Sequence, residues 1–499
     1  MQNLLTSSQI KDVDAYTILH EPVKPIDLME RASLAFIQIF IAKFPEKESA
    51  IWVFCGQGNN GGDGLAIARL LCKIGYADIK VFLASYSQHT SDDYIQNLTR
   101  LQKEYPAIPL LKDLKEVHLS KNDIIVDAIL GSGLNKPLTG NYEELARKIN
   151  ASSAKVVTVD VPTGFKSEGE LDGVYNGVNA DLVITFQLPK INFFFPESTE
   201  AIKKFEVVTI GLNETYIESL PSQWKLVTEE FIRKIIKPRE RFSHKGTYGH
   251  ALILAGNTET MGAALLSTSA CLHAGVGLVS ACIPQSGLNA LNVTAPEAMY
   301  IRRENFETAD LEKYQAIAIG PGLGTEESQQ QILEHSLLQN RPLVLDADAL
   351  NMLSHHKKLQ QKIPAQSILT PHVKEFDRLF GDHYNWWSRV ETARNKAEEL
   401  QIIIVLKNQY TFICLPTGNI CINPTGNPAM AQGGMGDVLT GIITSFLAQG
   451  YTSAQAAMLG VYLHGKAGDI LAEKREIVTA SALVKSLPRL LKKIKSATT

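Results

Sequence analysis

No CxxC pair and no Cys/His cluster at metal-ligand spacing occurs anywhere in this 499-residue chain. Its six cysteines, Cys55, Cys72, Cys271, Cys282, Cys414 and Cys421, stand apart. That excludes a zinc module and a disulfide scaffold and suits reduced, mostly buried thiols. No apolar run approaches the roughly 20 residues needed to cross a bilayer, so no membrane role is expected. The start, Met1-Gln2-Asn3-Leu4-Leu5-Thr6, has no basic segment leading into an apolar one and does not read as a signal peptide. A cytoplasmic location is the expectation. Charge of one sign is lacking too: a net charge of −3 gives no electrostatic case for nucleic acid or an anionic membrane. What remains is 45% hydrophobic residues, 20% charged residues and 35 glycines, the make-up of an α/β enzyme. The length exceeds a single core, so two or three domains are expected.

The glycines gather at strand-to-helix turns. Near the end, Asn423-Pro424-Thr425-Gly426-Asn427-Pro428-Ala429-Met430-Ala431-Gln432-Gly433-Gly434-Met435-Gly436-Asp437 runs into an apolar helical stretch. Glycine allows positive φ and a close approach to a ligand. The N–H groups freed at a helix start, with the helix dipole, favour an anion such as phosphate. Asp437, in the first turn, is placed to take a proton from a hydroxyl beside that phosphate. A plain capping turn would account for one glycine; Gly433, Gly434 and Gly436 together favour phosphate chemistry.

In the first half, apolar residues recur at helical spacing over 8–20 and 26–44. A buried strand over 50–55 leads into Gly56-Gln57-Gly58-Asn59-Asn60-Gly61-Gly62-Asp63-Gly64, read as a loop, with a helix over 65–74. Strand, glycine loop and helix in this order form the phosphate-binding arrangement of doubly wound sheets. The asparagines and the aspartate add oxygens suited to a sugar hydroxyl or a hard cation. Further strands at 78–84, 123–127, 155–160, 180–185 and 205–210, with helices at 92–103 and 142–149, continue the alternation. Asp63, Asp127 and Asp160 all follow strands, where the ligand crevice of an open parallel sheet lies.

These residues carry a resemblance. Residues 58–64, Asp127 with 131–137, and Asp160-Val161-Pro162-Thr163-Gly164 together resemble the NAD(P)H-hydrate epimerase family. The resemblance implies a Rossmann-like fold that interconverts the R and S forms of hydrated NADH or NADPH. It implies that Asn59, Asn60, Gly61, Gly62, Asp63, Gly131, Ser132, Gly133, Leu134, Asn135, Lys136 and Pro137 bind the hydrate. Asn60, Asp127 and Thr163 would hold K+, and Asp160 would contact the nicotinamide end. One route is ring opening and reclosure at C6, for which Asp160 is the candidate acid/base group. After Lys190 the chain departs from the family's glycine-rich pattern with Ile191-Asn192-Phe193-Phe194-Phe195.

Residues 213–225 show no clear period and read as a linker, giving domains 1–222 and 223–499. Beyond them, strands at 251–255, 277–283, 316–319, 342–345 and 402–406 alternate with helices at 228–236, 263–274 and 373–380. Gly320-Pro321-Gly322-Leu323-Gly324, Asp346-Ala347-Asp348-Ala349-Leu350-Asn351 and Thr370-Pro371-His372 fill turns between them. His372, where a strand hands over to a helix, caps the helix or meets a ligand; His244 is similar. Asp346 and Asp348 hold a metal through water or bond backbone N–H groups. Lys407 ends an apolar strand, and a buried lysine needs an anion, for which a nucleotide phosphate is suited. His355-His356 and Trp386-Trp387 read as surface or packing residues.

The glycine-rich stretch ending at Asp437, with these turns and Lys407, resembles the ADP/ATP-dependent NAD(P)H-hydrate dehydratase family, which implies a ribokinase-like α/β fold. By that resemblance Ala263, Gly322, His372 and Asp437 contact the hydrate, and Lys407, Asn408, Gln409, Tyr410, Thr411 and Gly436 contact ADP or ATP. Dehydration then resembles a kinase step, with Asp437 as the base and Mg2+ beside the phosphates. Asn408, Ala429 and Met435 depart from the family's usual glycine, glycine and hydroxyl residue. The chain as a whole is identified as a fusion of the two activities, with a homo-oligomer expected. A fusion of this kind resembles the ADP-using branch, although the residues fit ADP and ATP equally. Two rivals stand beside this reading: a ribokinase-class small-molecule kinase with an accessory domain, and a nucleotide-sensing protein without turnover.

Overall fold

Runs of alternating or continuous β-branched and aromatic residues supply the strands of two separate sheets. The computed structural model describes residues 1–134 and 136–496. Contacts divide the chain into Asn3–Ser222 and a second unit of Gln223–Thr499 with Met1–Gln2.

In the first unit β1 (Ile51–Cys55), β2 (Ile79–Leu83), β3 (Leu110–Leu111), β4 (Ile124–Ala128), β5 (Lys155–Val159), β6 (Leu182–Phe186) and β7 (Phe205–Val208) form one sheet. The order is β3-β2-β1-β4-β5-β6-β7, with every neighbouring pair parallel. β1 and β4 are fully buried, as a strand covered on both faces must be. The order reverses between β1 and β4, and the crevice of a doubly wound sheet opens there.

The expected loop over 56–64 is mostly helix: the helix Asn59–Lys73 begins at the asparagines, capped by Gly58. Its glycines serve close packing rather than unusual φ. A Cβ on Gly61 would lie 1.7 Å from the Gly56 carbonyl oxygen, and one on Gly64 would lie 2.6 Å from Ala128 Cβ. The helix can therefore seat its N-terminus directly on β1 and β4. The expected linker is also ordered, as the helix Glu214–Ser219 and a strand, β8 (Trp224–Leu226). Residues this short between turn formers show no period because each element lasts only one or two turns of pattern.

The second sheet adds β9 (His250–Leu254), β10 (Leu278–Ile283), β11 (Met299–Arg302), β12 (Ala316–Ile319), β13 (Leu343–Leu345), β14 (Ile368–Leu369), β15 (Ile403–Leu406), β16 (Thr411–Cys414) and β17 (Ile420–Asn423). These run in the order β8-β17-β16-β15-β14-β13-β12-β9-β10-β11. Pairing is parallel except on both sides of β16, which returns antiparallel to β15 and β17. The helix Met435–Ala448 packs in the core against Met261–His273 and Ser453–Ala472. The helices approach closely: a Cβ on Gly441 would lie 2.1 Å from the Ser267 carbonyl oxygen. Among the described residues no helix is long and apolar enough to cross a membrane.

Candidate active sites

In the first unit a cleft of about 460 Å³ opens at the carboxyl ends of the strands, lined among others by Asp14, Asn59, Asn60, Asp63, Asp160 and Lys190. Asp160 directly follows β5 with φ at +63°, a conformation that aspartate tolerates better than most side chains. Its Oδ1 accepts from Thr185 Oγ1 at 2.9 Å, Phe186 N at 3.0 Å and Lys190 Nζ at 2.7 Å. Lys190 is only 5% exposed, so this ion pair is fixed in the cleft wall. The residues after Lys190 pack inward: Asn192 Nδ2 donates to the Lys166 and Gly169 carbonyls, while Phe193 and Phe194 are buried.

Asp63 faces the same cleft, and burial, with Asp160, Asp14 and Asp93 nearby, holds its carboxyl well above the usual range. Asp14, on the helix Ser7–His20, is pushed up to about 6 by burial and by Asp160, against the opposing pull of Lys190. The sequence reading missed Asp14; a lone aspartate on an otherwise ordinary helix gives no signal of its own.

Gly131, Ser132, Gly133 and Leu134 line this cleft, while Lys136 and Pro137 line a neighbouring one with Phe165 and Tyr175. Asn135 lies outside the described residues. Gly61 and Gly62 are buried in the helix behind Asn60. Asp127 is fully buried and accepts from Thr163 Oγ1 at 2.6 Å, Thr163 N at 2.9 Å, Thr158 Oγ1 at 3.1 Å and Ile129 N at 3.3 Å. Burial raises its pKa against those four hydrogen bonds. The Asn60 Nδ2 atom is buried without a partner among the described residues, and the oxygen and nitrogen of such an amide are assigned from their partners.

In the second unit a cleft of about 600 Å³ is lined by Lys407, Asn408, Gln409, Thr411 and Gly436, with His372 at its side; Tyr410 is not part of that lining. The anion nearest Lys407 within the chain is Asp346: Lys407 Nζ lies 3.0 Å from its Oδ1 and 3.8 Å from Glu375. Asp346 is 2% exposed, and Thr440 Oγ1 donates to its Oδ2 at 2.7 Å. Burial acts to raise this carboxyl, but Lys407 and the Thr440 hydrogen bond hold it below the usual range. Asp348 accepts from Gly324 N at 2.9 Å.

Gly434 caps the helix Met435–Ala448 with φ at +87°, where glycine is favoured. A Cβ on Gly436 would lie 3.4 Å from Lys407 Nζ, so glycine keeps the helix start open beside the ion pair. Asp437, one residue on, is pushed up to about 6 by burial, Asp346 and Asp348, with Lys407 opposing. Ala263 and Gly322 meet through Thr260, whose Oγ1 donates to the Gly322 carbonyl at 2.7 Å and whose carbonyl accepts from Ala263 N at 3.2 Å.

His372 is a capping residue as well as a cleft residue: Nδ1 accepts from Lys374 N at 3.1 Å and Glu375 N at 3.3 Å. His244 caps a short turn by accepting from Gly246 N at 3.1 Å. Met435 is 9% exposed and joins the core, which is why an apolar residue suits that position. Ala429 N donates to Asn427 Oδ1 at 3.0 Å; nothing in the structure explains alanine there. His464, from Ser453–Ala472, also lines the cleft and was missed; burial lowers its pKa to about 4. A lone histidine within an apolar helix gives no signal of its own.

A family model described as NAD(P)H-hydrate dehydratase matches residues 251–489, and one described as YjeF-related protein N-terminus matches residues 25–192. A bifunctional NAD(P)H-hydrate repair enzyme from Thermofilum pendens is 34% identical over 98% of this chain and 96% of its own length. The enzyme of that name from Escherichia coli is 31% identical, with 90% and 85% covered. Among solved structures, the ADP/ATP-dependent NAD(P)H-hydrate dehydratase from Bacillus subtilis, co-crystallised with ATP and Mg2+, is 38% identical at a TM-score of 0.50, covering 54% of this chain and 98% of its own. A ribokinase-like superfamily protein from Enterococcus faecalis is 30% identical at a TM-score of 0.52, covering 55% of this chain and 98% of its own. The second unit is thus ribokinase-like and the first Rossmann-like. With likeness running through both halves, the chain belongs to the bifunctional NAD(P)H-hydrate repair enzymes.

Proposed function

We propose that this chain restores hydrated NADH and NADPH in two steps. The first unit interconverts the R and S hydrates, and the second dehydrates the S form at the expense of ADP or ATP. The observation that carries this is likeness over 98% of the chain to a two-activity repair enzyme, joined to a carboxylate-lined cleft in the first unit and a cleft lined by Lys407, His372 and Gly436 in the second.

In the second unit Asp437 takes the proton of the C6 hydroxyl, and that oxygen attacks the terminal phosphorus of the nucleotide. The nucleotide leaves shortened by one phosphoryl group. The C6–O bond then breaks with its electron pair, phosphate departs, and loss of a C5 proton forms the double bond. The N–H groups at the start of Met435–Ala448 steady the transferring charge, and Lys407 balances it. Lys407, Asn408, Gln409, Tyr410, Thr411 and Gly436 are proposed to hold the nucleotide; Ala263, Gly322, His372 and Asp437 the hydrate. Mg2+ binds largely through phosphate and water with one or two carboxylates, a donor set that Asp346 and Asp348 fit. It would neutralise phosphate charge there.

In the first unit Asp160 is the proposed acid/base group, with residues 59–63 and 131–137 around the hydrate. The oxygens of Asp127 and Thr163, with the Asn60 amide, whose Nδ2 is buried without a partner among the described residues, suit a hard cation; K+ held there would fix the turn after β4. Free thiols throughout fit a reducing cytoplasm, and a homo-oligomer is the assembly proposed.

The test is direct. Hydrated NADH is mixed with the protein and ADP or ATP, and recovery of the NADH absorbance band is followed. Failure to recover with either nucleotide would overturn this reading.

A further inference from the structure

Epimerisation by ring opening moves two protons, and Asp160 alone handles one. The C6 hydroxyl must lose a proton as its oxygen becomes a carbonyl, and N1 must gain one as the C6–N1 bond breaks. Asp160 is fixed as the acceptor, because three donors, Lys190 among them, converge on its Oδ1. A donor is then required elsewhere in the cleft.

Resting on the epimerase reading of the first unit, we infer that Asp14 is that second catalytic residue, the acid for N1. Asp14 reaches the cleft from the helix Ser7–His20, on a different element from Asp160. Among the described residues its carboxyl has no hydrogen-bond or ion-pair partner, although it lines a site with Asp63, Asp160 and Lys190. The charged groups facing it are Lys11 on its own helix, Asp63 on Asn59–Lys73, and Asp160 and Lys190 beyond β5 and β6. Burial and Asp160 push Asp14 up to about 6 while Lys190 opposes. Asp160, held by three donors, and Asp14, held by none among the described residues, face one cleft from different elements, an arrangement that assigns one to accept a proton and the other to give one.

The step balances. Asp160 accepts the hydroxyl proton, the O–H pair forms the C6 carbonyl, and the C6–N1 pair stays on nitrogen, which takes the Asp14 proton. Rotation about C5–C6 presents the other face of the aldehyde. N1 then attacks C6, returns its proton to Asp14, and the new alkoxide takes the proton held by Asp160. Both groups end as they began, and the hydrate has inverted at C6.

The full-length chain tests this with purified R and S hydrates of NADH. The S form needs only the second unit, so it serves as the internal control. Asp14→Asn is expected to slow recovery of the R form at least about 100-fold, the scale of a lost general acid. Its KM for R and its rate with S should stay near those of the wild type. The wild-type R rate should fall as pH rises through about 6, and the residual rate of Asp14→Asn should lack that limb. Asp14→Glu, which keeps a carboxyl, should recover part of the rate. R recovery by Asp14→Asn within about threefold of wild type would overturn the assignment, as would Asp14→Glu being no faster than Asp14→Asn. A wild-type chain unable to use the R form at all would instead overturn the epimerase reading, and the assignment with it.

Discussion

Asp437 and Asp63 carry opposite lessons about a carboxyl raised by burial. Asp437 must be ionised to act as a base, and burial with Asp346 sets its titration near pH 6. The rate with the S hydrate should therefore rise with pH through about 6 and then level. Asp437→Asn should cut that rate by about 10²- to 10⁴-fold while nucleotide binding, read by calorimetry, stays largely intact. Asp63 is a stability cost. Its folded pKa is raised above the unfolded value, so the folded state binds the proton more tightly and loses stability as pH rises above the ordinary aspartate value of 3.8. Asp63→Asn should raise the melting temperature of the first unit at neutral pH, and the gain should vanish on acidification below that value. Asp160, Asp63 and Asp437 were legible from sequence because each sits next to a glycine-rich turn. Asp14 and His464 were not, since nothing local distinguishes a cleft-facing residue on a regular helix from its neighbours.

At the level of elements, most strands and helices followed from hydrophobic period, and their order gave the α/β reading. Others were not assigned: the helices Glu327–Leu337, Trp386–Leu400, Ser453–Ala472 and Ala480–Ser496, the two-residue β3, and β16 and β17, which form a hairpin within an otherwise parallel region. Residues 59–64 misled differently, because glycines and asparagines signal turns, yet here they pack a helix onto strands. Gly61→Ala tests this. Its Cβ would lie 1.7 Å from a backbone oxygen, so the substitution should destabilise the first unit by about 1–3 kcal/mol or more, as overpacking does, measured by urea unfolding. Gly441→Val should do the same to the helix pair in the second unit, where the Ser267 carbonyl blocks a Cβ at 2.1 Å.

For the whole molecule, each unit has its own sheet, core and cleft. A fragment of residues 223–499 is expected to recover the S hydrate at close to the full-length rate and to leave an added R hydrate to its spontaneous conversion. Equal use of both forms by the fragment would place epimerisation in the wrong unit. The hairpin that extends the second sheet has its own consequence. Leu406 pairs with Phe412 across residues 407–411, and β16 is buried along its length. A strand buried on both faces cannot slip by one residue without reversing every side chain, and β17 and β8 are registered on it in turn. Insertions and deletions should accordingly be excluded from 407–411 even where point changes such as Asn408 are accepted: the loop proposed to hold the nucleotide can change its letters but not its length.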